Sequence, residues 1–284
     1  MNIVFTDNTT SKLIELLNPA FARAKVARFA VAFLRSSGLS LLKENLNRCL
    51  ANGGEVEFLV GLDFRMTEPE ALRTLHGLSS QGFKAKCYCF SDPSTGDTPV
   101  YHPKLYLLIN ELQAFITVGS SNLTQGGLRD NVEVNVVVTA DLQEEIVSDV
   151  YALYNRLKFQ QNRFEPTLEY IEKYEDAYER VQKRTTEALR EQGTKQVIKE
   201  LQEIETALPK PIPTGLELFG WQKLVYDRLP SGAFRTRDMY DYEHQFQEHY
   251  PDNRHIREKV RQVLQQLRDI GLLRNPRRDS WVKI

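Results

Sequence analysis

Short apolar runs alternate with helical patterns through the first half of the chain, and this alternation constrains the fold more than any other feature. The apolar runs end at glycine or polar turns, and the segments between them carry apolar residues at three- and four-residue steps. Strands are predicted at 26–33, 55–62, 84–90, 104–109, 114–119 and 131–138, and helices at 36–50, 69–78 and 142–157. Strands that alternate with helices indicate a layered α/β domain.

The second half of the chain has a different texture. Residues 166–208 nearly lack glycine and repeat apolar residues at helical spacing, which predicts one long helix or two helices broken near Gly193. The proline-rich segment 209–213 cannot continue a helix and indicates a domain boundary. Three helical patterns follow at 216–229, 237–249 and 253–271, with a possible hairpin over 272–284. Three helices and a two-stranded wing are typical of a winged helix, whose last helix enters the major groove of DNA.

Composition excludes several classes of protein. Of the 284 residues 41% are hydrophobic and 26% are charged, which is ordinary for a globular protein and excludes a disordered or fibrous chain. No stretch approaches the roughly 20 apolar residues of a membrane span, and no signal peptide is recognisable. Three cysteines do not suggest a disulfide framework, so we expect a cytoplasmic protein.

The charge distribution is more informative than the net charge of −1. Residues 254–284 contain nine Lys or Arg side chains against three acids, on a chain that is otherwise acidic. A basic tip of this kind indicates a polyanion-binding element, and a solvated basic helix face is the alternative.

A group of polar residues near the middle of the chain could perform chemistry on a phosphate. His102 and Lys104 are two residues apart at the start of a strand, so their side chains point to one face. Ser120 and Asn122 follow a glycine at the end of a later strand, and Glu133 lies in the strand after that, where an acid is costly unless it is paired. Together these residues predict a phosphate-sized pocket that contains an imidazole.

This arrangement resembles the phospholipase D superfamily, whose signature is His-x-Lys followed by Gly-Ser-x-Asn, and within it the single-motif, metal-independent restriction nucleases of the BfiI type. The resemblance covers about residues 1–160 and implies a layered α/β domain with a mixed sheet. It implies that His102 is the nucleophile, that Lys104, Ser120 and Asn122 hold the phosphate, and that Glu133 orients a histidine. The aspartate often found five residues after the lysine is Ile109 here, which makes lipid hydrolysis a poorer expectation than phosphodiester chemistry.

The mechanism implied by the resemblance has two steps and needs neither a metal nor a cofactor. A neutral histidine attacks phosphorus, a second histidine protonates the leaving oxygen, and water hydrolyses the phosphohistidine. Of the five histidines only His102 lies in a His-x-Lys motif. The second imidazole is therefore expected from another copy of the chain, in a homodimer with a composite active site.

The last part of the chain is similar to the winged helix that ends the DpnI family of adenine-methylation-dependent restriction endonucleases. The similarity rests on Ile256-Arg257-Glu258-Lys259 and on the segment 264–271, Leu-Gln-Gln-Leu-Arg-Asp-Ile-Gly. It implies binding to double-stranded DNA and a capacity to sense methylated adenine. Asn253 is expected to cap the helix, and the residues expected to contact DNA are Asn253, Arg254, His255, Arg257, Lys259, Arg261, Arg277 and Arg278.

These inferences combine into one layout, with a nuclease domain at 1–160, a helical connector at 161–210 and a winged helix at 211–284. The layout predicts a metal-independent, homodimeric DNA endonuclease of a prokaryotic restriction or phage-defence system. One alternative is a phospholipase or non-specific phosphodiesterase. Another is a DNA-binding regulator with an inactive hydrolase domain.

Overall fold

The computed structural model describes residues 1–90 and 100–284. Contacts divide the chain into two units, Met1–Lys195 and Gln196–Ile284. Within the described residues, no helix has both the length and the hydropathy needed to cross a membrane.

The first unit is built on one eight-stranded mixed sheet. Its strands are β1 (Asn2–Thr6), β2 (Val26–Val31), β3 (Glu55–Gly61), β4 (Ala85–Phe90), β5 (Lys104–Ile109), β6 (Gln113–Gly119), β7 (Asn135–Asp141) and β8 (Arg163–Phe164). They lie in the order β1-β7-β6-β5-β2-β3-β4-β8. Strands β2, β3 and β4 pair in parallel, whereas β5, β6, β7 and β1 continue the sheet antiparallel.

Helices cover both faces of this sheet. They are α1 (Leu13–Phe21), α2 (Ser36–Ala51), α3 (Pro69–Ser80), α4 (Glu145–Lys158) and α5 (Leu168–Arg190), with a 3₁₀ turn at Asp63–Arg65 and a π-helical turn at Gly126–Asp130. A further helix, α6 (Gln192–Ala207), follows α5 and buries none of its residues. The core on one face includes residues of α1, α2, α3 and α5, and the core on the other includes residues of α4. Central strands such as β2 are apolar almost throughout because both of their faces are buried. The predicted α/β class with a mixed sheet is confirmed.

The second unit has its own core. Its elements are α7 (Gly220–Tyr226), a 3₁₀ helix (Thr236–Tyr242), α8 (Glu243–His249), α9 (Ile256–Asp269), β9 (Leu273–Arg277) and β10 (Ser280–Lys283). Helix α9 buries an apolar stripe that includes Val260, Leu264 and Leu267, while its remaining faces are polar. The 3₁₀ helix runs directly into α8, so the unit has three helical segments, α7, the 3₁₀–α8 segment and α9. With the β9–β10 hairpin that follows, they form the predicted winged helix.

The structure also corrects two expectations. Strand β7 begins at Asn135, so Glu133 lies in the loop before the strand rather than within it. Asn253 does not cap α9, because the helix begins at Ile256 and the Asn253 Oδ1 instead accepts the His255 N–H at 2.8 Å. Of the two alternatives for residues 166–208, the break near Gly193 is confirmed, because α5 ends at Arg190 and α6 begins at Gln192.

Candidate functional site

His102 and Lys104 are in direct contact. His102 immediately precedes β5 and Lys104 is the first residue of that strand, so the two side chains share a face as predicted. The Lys104 Nζ lies 2.6 Å from Nδ1 and 3.1 Å from Nε2 of His102, and it also donates to the His102 carbonyl oxygen at 3.1 Å. The imidazole packs edge-on against Phe33, with ring centroids 5.6 Å apart. An ammonium and an imidazole therefore lie side by side at the start of β5.

The surroundings favour a neutral imidazole on His102. Desolvation lowers the pKa of His102, the Lys104 ammonium lowers it further, and the Asp63 carboxylate opposes both. Lys104 itself is only 8% exposed, and this burial lowers its pKa while the Glu133 carboxylate raises it. A nucleophilic imidazole has to be unprotonated. The Lys104 ammonium disfavours the protonated ring because it is positively charged and lies in contact with it, so it suits that role.

Ser120 and Glu133 meet at the end of β6. The Ser120 hydroxyl donates to Glu133 Oε2 and accepts the Val134 N–H at 2.9 Å. The strand end and the loop before β7 approach so closely that a Cβ on Gly119 would lie 2.3 Å from the Val134 carbonyl oxygen. Only glycine fits at position 119, and this close approach is what places Glu133 beside Ser120.

A buried residue between the two predicted phosphate ligands fixes their backbone. Ser121 is fully buried, its carbonyl oxygen accepts the Tyr106 hydroxyl at 3.0 Å, and its hydroxyl accepts from Asn135 Nδ2 at 2.9 Å. Asn122 is held in turn, because its Oδ1 accepts the Phe33 N–H at 2.9 Å. With that oxygen occupied, the Nδ2 donors of Asn122 are the part of its amide left for an anion.

A cavity of about 550 Å³ opens beside these residues. Asn122 and Glu133 line it together with Phe33, which also contacts the His102 ring. Arg35 adds a cation to its wall, a residue that the sequence analysis did not select. The cavity therefore contains amide donors and a guanidinium together with the carboxylates of Asp130 and Glu133, and it reaches the His102 ring through Phe33. Amide and guanidinium groups are donors of the kind that hold a phosphate oxyanion.

Asp63 is a second residue that sequence reasoning could not single out. It lies two residues after the end of β3, is 2% exposed, and accepts the Tyr101 N–H through Oδ2 at 2.8 Å. Its Oδ1 is buried and has no hydrogen-bond partner among the described residues. The next two residues, Phe64 and Arg65, have positive φ angles of 59° and 51°, which are strained for side chains of their size. Burial raises the pKa of Asp63.

The five predicted site residues thus come together as two contacting pairs and one fixed amide. His102 contacts Lys104, Ser120 contacts Glu133, and Asn122 shares the cavity with Glu133. In the described part of the chain, the Glu133 carboxylate accepts hydrogen bonds from Ser120 and Asn131 rather than from the His102 ring. The carboxylate that acts electrostatically on His102 is Asp63.

The residues expected to contact DNA are spread over the second unit. Arg254 and His255 precede α9 and are exposed, and Asn253 supports the turn that leads into it. On α9, Arg257 forms an ion pair with Glu243 at 2.8 Å and Lys259 donates to Gln262. Arg261 donates through Nε to the Tyr240 hydroxyl at 2.8 Å. Arg277 and Arg278 are exposed at the tip of the β9–β10 wing.

Comparison with solved structures finds similar folds at low identity. NucT from Helicobacter pylori has a TM-score of 0.43 at 12% identity, covering 55% of this chain and 94% of its own. The phospholipase D family member Nuc from Salmonella typhimurium has a TM-score of 0.43 at 15% identity, covering 58% of this chain and 99% of its own. Phosphatidylserine synthase from Haemophilus influenzae Rd KW20 has a TM-score of 0.46 at 15% identity, covering 66% of this chain and 46% of its own. No curated protein matches the sequence significantly.

Two family models match the sequence and confirm both resemblances. Residues 222–283 match the Dam-replacing HTH domain of the DpnI C-terminal family. Residues 13–158, just over half of the chain, match the family described as cardiolipin synthase, PLD-like domain, and they include all five predicted site residues. The chain therefore belongs to the phospholipase D-like family and carries a DpnI-type winged-helix domain at its C-terminal end.

Proposed function

We propose that this protein is a metal-independent DNA endonuclease of type II-like character in a prokaryotic restriction or phage-defence system. Residues 1–160 would form its nuclease domain, 161–210 a connector and 211–284 its DNA-binding domain. Membership of the phospholipase D-like family and the C-terminal match to the Dam-replacing HTH domain support this combination of phosphodiester chemistry with DNA binding.

One observation carries the catalytic part of the proposal, the contact between the Lys104 ammonium and the His102 ring at 2.6 Å. The ammonium disfavours protonation of the ring, so the imidazole keeps a lone pair for attack. The same ammonium is placed to neutralise the negative charge that develops on the phosphate oxygens, together with the amide donors of Asn122. In this proposal Glu133 lines the pocket, and the Ser120 hydroxyl holds its carboxylate by a hydrogen bond.

The proposed reaction proceeds in two displacements. A ring nitrogen of His102 forms a bond to phosphorus while the bond from phosphorus to the leaving oxygen breaks, and that oxygen takes a proton from a second imidazole. Water then attacks phosphorus, gives its proton back to the second imidazole, and the nitrogen–phosphorus bond breaks. Imidazoles supply the proton transfers and Lys104 supplies the fixed charge, so the proposed steps use no metal.

The second imidazole is assigned to His102 of another copy of the chain. His76 is the other histidine of the first unit, and it lies on α3, where it contacts Ser80. We therefore propose a homodimer with one composite active site, in which the two copies of His102 face each other.

The winged helix would bring double-stranded DNA to this centre. Its basic residues, Arg261 on α9 and Arg278 on the wing among them, would contact phosphates and base edges. Reading of methylated adenine is part of the proposal because the matched family model is the Dam-replacing HTH domain.

The test is the substitution His102→Ala in the full-length protein. We expect cleavage of duplex DNA to fall by about a thousandfold or more, because the nucleophile is lost, while binding of the duplex is retained. The wild-type protein is expected to cleave equally in excess EDTA, and DNA from adenine-methylated and unmethylated hosts should be compared as substrate.

His76→Ala provides the matched control, since it removes an imidazole of the same unit outside the site. This variant is expected to cleave like the wild type. Undiminished cleavage by the His102→Ala variant, or loss of wild-type activity in EDTA that added metal restores, would contradict the proposed mechanism.

A further inference from the structure

A cavity of about 630 Å³ lies in the second unit, where α9, the 3₁₀ helix Thr236–Tyr242 and the β9–β10 wing meet. Each of the three elements contributes arginine to its lining, and the set comprises Arg237, Arg261, Arg268 and Arg278. Among the described lining residues, Asp279 supplies a carboxylate, and it accepts the Thr236 N–H at 3.2 Å. Arg268 is paired with Asp269 at 2.6 Å and Arg237 lies 3.7 Å from Asp238, so Arg261 and Arg278 are the lining arginines for which the described residues show no ion pair. A concave surface that carries these two guanidinium groups fits a polyanion.

The wing and the 3₁₀ helix are joined by hydrogen bonds that do not involve the arginines. Trp281 on β10 is buried and exchanges backbone hydrogen bonds with Phe234 at 2.8 and 3.0 Å. Its indole Nε1 donates to the Thr236 hydroxyl at 3.0 Å. The wing is therefore fastened to the start of the 3₁₀ helix, and the cavity is preformed rather than assembled by a ligand.

Arg261 is held in this cavity by a neutral partner, whereas Arg268 is held by the Asp269 carboxylate. Its Nε donates to the Tyr240 hydroxyl at 2.8 Å, and its guanidinium carbon lies 5.7 Å from the Tyr240 ring centre. With Nε engaged, the two terminal Nη groups form the fork that remains for a ligand. Gln265 lies one helical turn further along the same face and also lines the cavity.

Such a fork of donors can distinguish one base edge from another. In the major groove guanine presents two acceptors, O6 and N7, side by side, and a bidentate arginine is the commonest specific partner for them. Arg237 and Arg278 come from the other two elements and each is exposed, which places them for flanking phosphates.

We propose that this cavity is the base-reading site of the protein and that Arg261, held by Tyr240, reads a guanine in the major groove. Gln265 contacts the neighbouring base pair, and the wing contacts the backbone. This inference rests on the proposed function, because it takes double-stranded DNA as the ligand. The sequence predicts contacts with DNA around the first turn of α9, whereas this inference assigns the base-specific contact to Arg261, nearer the middle of the helix.

The experiment selects bound duplexes from a randomised library with the full-length protein carrying His102→Ala, so that bound DNA is not cut. The selected sites are expected to share a guanine, and adding Arg261→Ala is expected to reduce discrimination against other bases at that position by about tenfold or more. Tyr240→Phe should weaken the same discrimination, because it removes the oxygen that holds Nε.

Lys259→Ala is the matched control. Lys259 precedes Arg261 by two residues, a rotation of about 200°, so it lies on the other side of the helix. This variant is expected to keep the guanine preference even where its overall affinity falls. The inference is overturned if Arg261→Ala keeps the preference for guanine or if Lys259→Ala loses it. It is also overturned if the parent protein binds all duplexes alike, although DNA binding itself would then stand. Failure to bind any duplex would instead overturn the proposed function together with the inference.

Discussion

His102 lies between opposing charges, and the balance sets its protonation. Lys104 lowers its pKa and Asp63 raises it, while Glu133 acts on Lys104 rather than on the ring itself. Asp63 holds the N–H of Tyr101, the residue next to His102, so one buried carboxylate both fixes the backbone beside His102 and favours the protonated form of its ring. Asp63 therefore sets the pH range in which the His102 ring is neutral or protonated, and so the pH at which it could attack phosphorus or donate a proton in the proposed mechanism.

The substitution Asp63→Asn tests this balance. The amide oxygen can still accept the Tyr101 N–H, but the negative charge is lost, so the protonated imidazole is no longer stabilised and the pKa of His102 falls. We expect the His102 ring resonances to titrate at lower pH in a nuclear magnetic resonance experiment. Both limbs of the pH profile for DNA cleavage are expected to shift to lower pH, since both copies of His102 change alike.

An exposed aspartate on α4 offers the comparison. Asp149→Asn removes the same charge from the protein at a position outside the site, and the His102 titration should stay where it is in the wild type. A His102 pKa that is unchanged or raised by Asp63→Asn would show that Asp63 does not act on the ring.

The elements that the sequence predicts best are those whose pattern is local. Strands β2 and β3 read as apolar runs, and the two-residue spacing at the start of β5 is enough to predict that His102 and Lys104 share a face. Asp63 could not be predicted in its role, because that role depends on a hydrogen bond to Tyr101, 38 residues away. The place of Glu133 before β7 likewise depends on the close approach at Gly119, which is a tertiary contact.

The amino-acid composition changes before helix α5, but the packed core of the first unit continues into this helix. The polar texture from residue 166 onward predicts a connector, yet Ile171 is fully buried in the core of the first unit and the Tyr174 hydroxyl donates to the Thr67 carbonyl oxygen at 2.9 Å. The Thr67 hydroxyl in turn donates to the Gly61 carbonyl oxygen at 2.7 Å, at the end of β3 close to Asp63. The first turns of α5 therefore support the loop that carries Asp63.

The variant Ile171→Ala measures this support. Truncating a fully buried isoleucine is expected to lower the free energy of unfolding of the first unit by about 2–5 kcal/mol, since apolar burial is lost and a cavity remains. Val181→Ala, on the same helix at a position that is 41% exposed, should change it by less than about 1 kcal/mol. Denaturant unfolding of the two variants gives both values, and equal losses would argue against α5 as part of this core.

At the scale of the whole molecule, one chain supplies half of the proposed chemistry. A single His-x-Lys motif provides one nucleophile but leaves the leaving group without its proton donor, so completeness requires two copies. The requirement is independent of how DNA is recognised. It can therefore be tested on the active site alone.

The last prediction concerns a heterodimer in which one copy carries His102→Ala. Two differently tagged copies are expressed together, and the species that carries both tags is purified. Its cleavage rate is expected below about 1% of the wild-type rate, because its composite centre lacks either the nucleophile or the proton donor. A heterodimer with His76→Ala in one copy should cleave at the full rate. A half-maximal rate for the His102→Ala heterodimer would show that each copy acts alone, and recovery of no doubly tagged species would show that the chain does not dimerise.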